Sequence, residues 1–129
     1  MARRATLVIL AAVLLGLSLG VATSEAKSMY LFAKPSKIGC AAMKLQGNGA
    51  TLRCDLPFLG RKAAFLHVRG KGAIKRVSSP AHHPKGKILH KGESAAFGPF
   101  KCESQKSALS CSSADGHGFT VGRGFQLVF

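Results

Sequence analysis

The sequence predicts a small all-β domain, either a disulfide-stapled β-sandwich or a partly closed barrel of about six to eight short strands, preceded by a signal peptide. Three observations carry that expectation. Apolar and polar residues alternate in short runs, and no stretch after the leader sustains helical apolar spacing over three turns. Thirteen of the fifteen glycines and all five prolines follow residue 26, a frequency that suits short strands joined by tight turns. Four cysteines, an even number in a short chain with an export signal, read as disulfides, whereas the same residues in the cytosol would suggest metal or redox work.

The leader comes first. Arg3 and Arg4 precede an apolar run from Leu7 to Leu19, and the small residues Ser24 and Ala26 follow. This is the charged, apolar and small-residue order of a secretory signal, cleaved after Ala26, with a cut after Ala22 as the near alternative. The run from Ala5 to Ala22 approaches the length of a membrane span, so an uncleaved anchor is the rival reading. Cleavage makes residues 1–26 the signal and residues 27–129 a single domain, secreted or periplasmic, with no integral membrane span.

Within that domain the apolar residues Met29 to Phe32 form a first strand, and Lys34, Pro35 and Ser36 turn the chain toward Cys40. Thr51 to Leu56 forms the next strand, and Asn48 followed by Gly49 lies between Cys40 and Cys54. Asn followed by Gly is the strongest short-range hairpin signal, because both residues tolerate positive φ. Folding there brings Cys40 opposite or nearly opposite Cys54. Ala63 to Val68 and Ile74 to Val77 form two further strands joined by residues 69–72, and Ser78 to Lys87 is a proline-containing loop.

Cys102 and Cys111 repeat the cysteine arrangement around a turn at Lys106 and Ser107. Four cysteines allow three connectivities, and the hairpin geometry favours neighbours: Cys40 with Cys54, and Cys102 with Cys111. Each bridge closes a loop worth about 2.5 to 3 kcal/mol in the chain-entropy model, a large share of a net stability of roughly 5 to 10 kcal/mol. Phe119 and Val121, then Phe125, Leu127 and Phe129 beyond a turn at residues 122–124, predict that the chain ends on a paired, half-buried strand.

Charge is the main indication of partners. Removing Arg3, Arg4 and Glu25 with the leader leaves 17 basic and 4 acidic residues, a formal charge of +13. Nine of the basic residues, Arg61, Lys62, Arg69, Lys71, Lys75, Arg76, Lys85, Lys87 and Lys91, fall between Pro57 and Gly92, where no acid occurs. Such a field attracts polyanions, so these nine are the candidate surface for an anionic cell-envelope polymer or lipid headgroups. One tyrosine and no tryptophan argue against the aromatic platforms of sequence-specific nucleic-acid readers. A non-catalytic, monomeric binding module is expected. An inhibitor of a secreted enzyme and a purely structural secreted protein are the alternatives, and a small phosphodiesterase or ribonuclease is a distant third.

Two stretches also carry a resemblance. They are Pro35, Ser36, Ile38 and Cys40 with Leu52 to Leu56, and Gly98 to Cys102 with Leu109, Cys111 and the run Gly116, His117, Gly118, Phe119. Together they resemble a family of small secreted bacterial proteins known as a domain of unknown function. The resemblance covers both ends and departs in the basic middle, where many members carry an additional cysteine pair. It implies export and a disulfide-bonded β domain, and brings no activity with it.

No catalytic residue, metal ligand or cofactor is assigned. His67, His82, His83, His90 and His117 lack the spaced carboxylate or thiolate help of zinc sites. Ser110, Asp115 and His117 have the residue types of a hydrolytic triad but are crowded into eight consecutive positions. His67, His117 and Lys101 are the nucleolytic cast, with no supporting spacing. His117 between two glycines reads instead as a tight turn entering the Phe119 strand. The exported protein is expected to begin at Lys27, and an intact mass that still includes residues 1–26 contradicts that expectation.

Overall fold

The computed structural model describes residues 29–43, 49–79 and 86–129. The leader, the Asn48 turn position and the loop holding His82, His83 and Lys85 lie outside the described residues. Among the described residues eleven short strands form two sheets with a shared core. The first sheet has the order β5-β4-β3-β2-β1-β6, from β1 (Met29–Ala33), β2 (Ile38–Met43), β3 (Thr51–Leu56), β4 (Lys62–His67), β5 (Ala73–Arg76) and β6 (Lys87–Leu89). The second has the order β11-β10-β9-β8-β7, from β7 (Ser94–Phe97), β8 (Phe100–Ser104), β9 (Ala108–Ser113), β10 (Gly118–Gly122) and β11 (Phe125–Val128). Among the described residues no helix is long and apolar enough to cross a membrane.

The chain builds one unit twice. Strands β1 to β5 and strands β7 to β11 are each a five-stranded antiparallel meander. In both, a disulfide joins the second strand to the third: Cys40 to Cys54, and Cys102 to Cys111. The partners stand directly opposite in register with Cα atoms 4.1 Å apart, close to the short spacing of a non-hydrogen-bonded antiparallel pair. Neighbour pairing of the cysteines is therefore what the fold contains. Each unit also carries an apolar residue two positions before each cysteine: Ile38 and Leu52 in the first, Phe100 and Leu109 in the second.

Period-two alternation sets which side chains meet. Leu52, Cys54 and Leu56 of β3 are buried and face Phe100, Cys102, Leu109, Cys111, Phe119 and Val121 in one cluster. The opposite face of the first sheet carries Arg53, Asp55, Ala63 and Phe65. Ala63 is nonetheless fully buried. Strands β5 and β6 lie at opposite edges of this sheet, so the chain between them must cross it, and Arg53 Nη2 donates to the Ser79 carbonyl at 2.8 Å where that crossing begins. Strand β6 then pairs parallel to β1.

Among the described residues the strands number eleven where about six to eight were expected. The excess comes mainly from β6 and β7, which are three and four residues long. Lys87 belongs to β6 rather than to the loop. The C-terminal strand is paired as expected, but its burial is not: Phe125 is 54% exposed and Leu127 48%. Both lie in register with Gly122 and Thr120 on the outer face, out of phase with buried Phe119 and Val121.

The meanders touch at one end through backbone. The Gly72 amide donates to the Phe129 carbonyl at 3.4 Å, and a Cβ on Gly72 would collide with the Gly118 carbonyl oxygen. A Cβ on Gly118 would collide with the Cys111 carbonyl oxygen. Both obstacles are backbone, so neither yields cheaply. Phe119→Ala is expected to cost about 3 to 5 kcal/mol of stability in denaturant titration. Gly118→Ala should be clearly destabilising, unlike Ala96→Gly on the exposed face of edge strand β7, which should cost roughly 1 kcal/mol or less.

Candidate functional site

The hairpin of β4 and β5 concentrates positive charge at its open end. Lys62 and Arg76 stand directly opposite in register, and Lys75 follows opposite Ala63. Arg61 precedes β4, its carbonyl accepting from the Val77 amide at 2.8 Å and its guanidinium reaching the Ser78 carbonyl at 3.5 Å. All four are exposed, and among the described residues none forms an ion pair. Like charges directly opposite on paired strands destabilise a sheet. Beside them lies a cavity of about 300 Å³ lined by Asp55, Leu56, Pro57, Gly60, Arg61, Lys62 and Val77.

The nine basic residues do not form one surface. Arg61, Lys62, Lys75 and Arg76 make this corner. Arg69 and Lys71 sit at the hairpin tip, about five residues or roughly 17 Å along the strands. Lys87 begins β6 at the opposite edge of the sheet, about five strand spacings or roughly 24 Å away, and Lys91 follows in the turn after β6. Lys85 lies outside the described residues.

Arg53 was not among those nine and has a different use. Its Nε donates to Asp55 Oδ1 at 2.9 Å, Nη2 holds the Ser79 carbonyl, and the guanidinium carbon lies 5.8 Å from the centre of the Phe65 ring. This cation pins the crossing chain to the sheet. Alternation of Thr51, Arg53 and Asp55 with the buried residues of β3 was the available signal for its outward position.

The other constellations resolve as turn chemistry. Ser110 Oγ is 2.9 Å from Thr120 Oγ1 on the outer face of the second sheet, on a strand flank, whereas Asp115 bonds within its own turn. There the Ser113 hydroxyl donates to Asp115 Oδ1, the His117 amide donates to the same oxygen at 3.1 Å, and the Gly70 amide donates to Oδ2 at 3.1 Å. A triad needs its hydroxyl on the imidazole; here Ser110 bonds Thr120, and the hydroxyl on the carboxylate is that of Ser113. The Ser113 hydroxyl, followed by the His117 and Gly70 amides, holds the Asp115 carboxyl down to about 2. His117 thus sits in a tight turn entering β10, with Gly116 at φ 87°.

His67 lies 3.1 Å from the Thr51 hydroxyl on the outer face of the first sheet, while Lys101 is exposed on the outer face of the second. The two faces point away from each other. His90 closes the turn before β7: its amide donates to Glu93 Oε1 at 2.9 Å and its ring nitrogen lies 2.6 Å from the same oxygen. That backbone bond, with the ring contact, lowers the Glu93 carboxyl from its ordinary value. Among the described residues, the three ligand-type side chains within bonding reach of one centre are Cys40, Cys54 and Cys111, whose sulfurs are held in disulfides.

Comparison with known proteins yields no matching family model, no matching curated protein and no matching solved structure.

Asp115 joins the tips of the β4–β5 and β9–β10 hairpins, so its ionisation bears on stability. Its folded pKa, about 2, lies below the ordinary 3.8. The carboxylate therefore contributes stability that is fully present above about pH 4 and is lost as pH falls toward 2. Asp115→Asn is expected to be less stable than wild type at pH 6, with the gap closing between pH 4 and pH 2. Parallel urea titrations check this, and a gap unchanged over that range contradicts it.

Proposed function

We propose that this exported protein is a non-catalytic module that binds a phosphate-bearing polymer of the cell envelope through the Arg61, Lys62, Lys75 and Arg76 corner. The observation that carries the reading is the uncompensated pairing of Lys62 with Arg76 across two strands. Lys62 and Arg76 share one face at an open strand end although such a pairing opposes sheet formation, and an anion bridging them would relieve the repulsion. Lys75 adds charge from the other face of the same end. The cavity beside Arg61 and Lys62 offers a recess at the same spot. Two buried disulfides support folding in an oxidising compartment outside the cytoplasm. The resemblance to a family of small secreted proteins agrees with export.

Strand β5 is also an edge, and charged residues on an edge discourage pairing with other chains. Binding measurements separate that role from recognition. Affinity for a purified polyol-phosphate polymer should fall steeply with salt, and changing Arg61, Lys62, Lys75 and Arg76 together to Ala should weaken binding and flatten the logarithmic salt slope by roughly 3. The matching change of Lys87 and Lys91 at the far edge should leave most of the affinity. Equal losses in the two variants would reduce the corner to general surface charge, and full affinity in the fourfold variant would leave it the edge-protecting role alone.

A further inference from the structure

The two disulfides meet in the core. The Sγ atoms of Cys40, Cys54 and Cys111 all lie within 4.8 Å of one another, although the first two belong to one sheet and the third to the other. All three residues are buried, at 1%, 0% and 1% exposure. Cys102, bonded to Cys111, falls outside that trio. Each disulfide therefore has a sulfur of the other as a neighbour.

The geometry points to Cys111 as a relay sulfur, able to exchange the two intra-sheet disulfides for one that joins the sheets. Thiol–disulfide exchange proceeds by attack of a thiolate on one sulfur of a disulfide, expelling the other as thiolate. An external dithiol attacks Cys102 Sγ, forming a mixed disulfide and releasing Cys111 as thiolate. Cys111 then attacks Cys40 or Cys54, forming an inter-sheet disulfide and releasing the remaining cysteine, which takes up a proton. The second thiol of the dithiol expels Cys102, leaving an oxidised reagent and a Cys102 thiol. The balance is two electrons from one dithiol, with two protein thiols formed and one protein disulfide retained.

The strand order gives the relay a direction. Cys102 lies on β8, separated from the sheet edge by β7 alone, a strand of four residues. Cys40 and Cys54 lie on β2 and β3, each with at least two strands on either side. Local opening is cheapest at short edge elements, so reductant reaches Cys102 first. The attacking species is the thiolate, so the exchange accelerates with pH. The outcome is a covalent tie between two meanders that are otherwise joined by packing, hydrogen bonds such as those from Gly70 and Gly72, and a linking chain.

Cys102→Ser isolates the decisive step, because it leaves Cys111 as a thiol beside an intact Cys40–Cys54 bond. Folded variant is held at pH 8.5 without denaturant, quenched in acid, alkylated, and mapped without reduction. Peptides joining Cys111 to Cys40 or Cys54, with alkylation on the displaced cysteine, are expected. The reciprocal Cys111→Ser protein, with its thiol at Cys102, should keep Cys40 joined to Cys54. Alkylation confined to Cys111 in the first variant overturns the proposal, as does equal reshuffling in both, which would mark exchange through the unfolded chain. Should the first variant fail to fold, wild type treated with one equivalent of dithiol decides the matter. An inter-sheet peptide pair supports the relay, and reduction that leaves solely neighbour pairs refutes it.

Discussion

The contact between the two disulfides is the constraint from which the rest of this domain follows. A cysteine pair can face its partner at 4.1 Å if both lie at a non-hydrogen-bonded position with inward side chains. Fixing Cys40 against Cys54 therefore sets the register of β2 on β3 and makes Ile38, Ala42, Leu52 and Leu56 core residues by alternation. Cys102 and Cys111 do the same for Phe100 and Leu109. Once both sulfur pairs are inward, the sheets must approach closely enough for the sulfurs to meet.

Close approach explains the composition of the core. Among the described residues the core cluster holds five alanines, against two phenylalanines. Alanine brings little apolar area, so hydrophobic burial alone leaves a chain of this size marginal. Covalent closure of two loops, at about 2.5 to 3 kcal/mol each, offsets that shortage. The glycine contacts at the meander end belong to the same economy of space, since Gly72 and Gly118 pack backbone against backbone where a methyl group would not fit.

Much of this was legible from local pattern. The spacing of each cysteine pair located the β2–β3 and β8–β9 hairpins, although the turn expected at Asn48 lies outside the described residues. Three features were not legible, each for a physical reason. Strand β7 reads Ser-Ala-Ala-Phe and holds its place by pairing with β8 rather than by its own preference for extended structure. Alternation in β11 revealed a phase but not a side, because a period of two is identical whichever face is buried; Phe125 and Leu127 consequently point outward. The basic segment looked continuous along the chain, yet the crossing from β5 to β6 carries its end to the other side of the sheet, so proximity in sequence did not become proximity in space.

That crossing also orders the folding of the domain as it emerges from its amino end. Strands β1 to β5 form a local meander and need nothing that comes later, so they can pair first. Strand β1 is then an open edge, and stays one until Lys87–Leu89 arrives to lie parallel beside it. During that interval the exposed edge is a template for another emerging chain. Three residues of β6 thus act as a latch on the first half of the molecule, and crowding of emerging chains, more than weak final packing, would be the condition under which this protein misassembles.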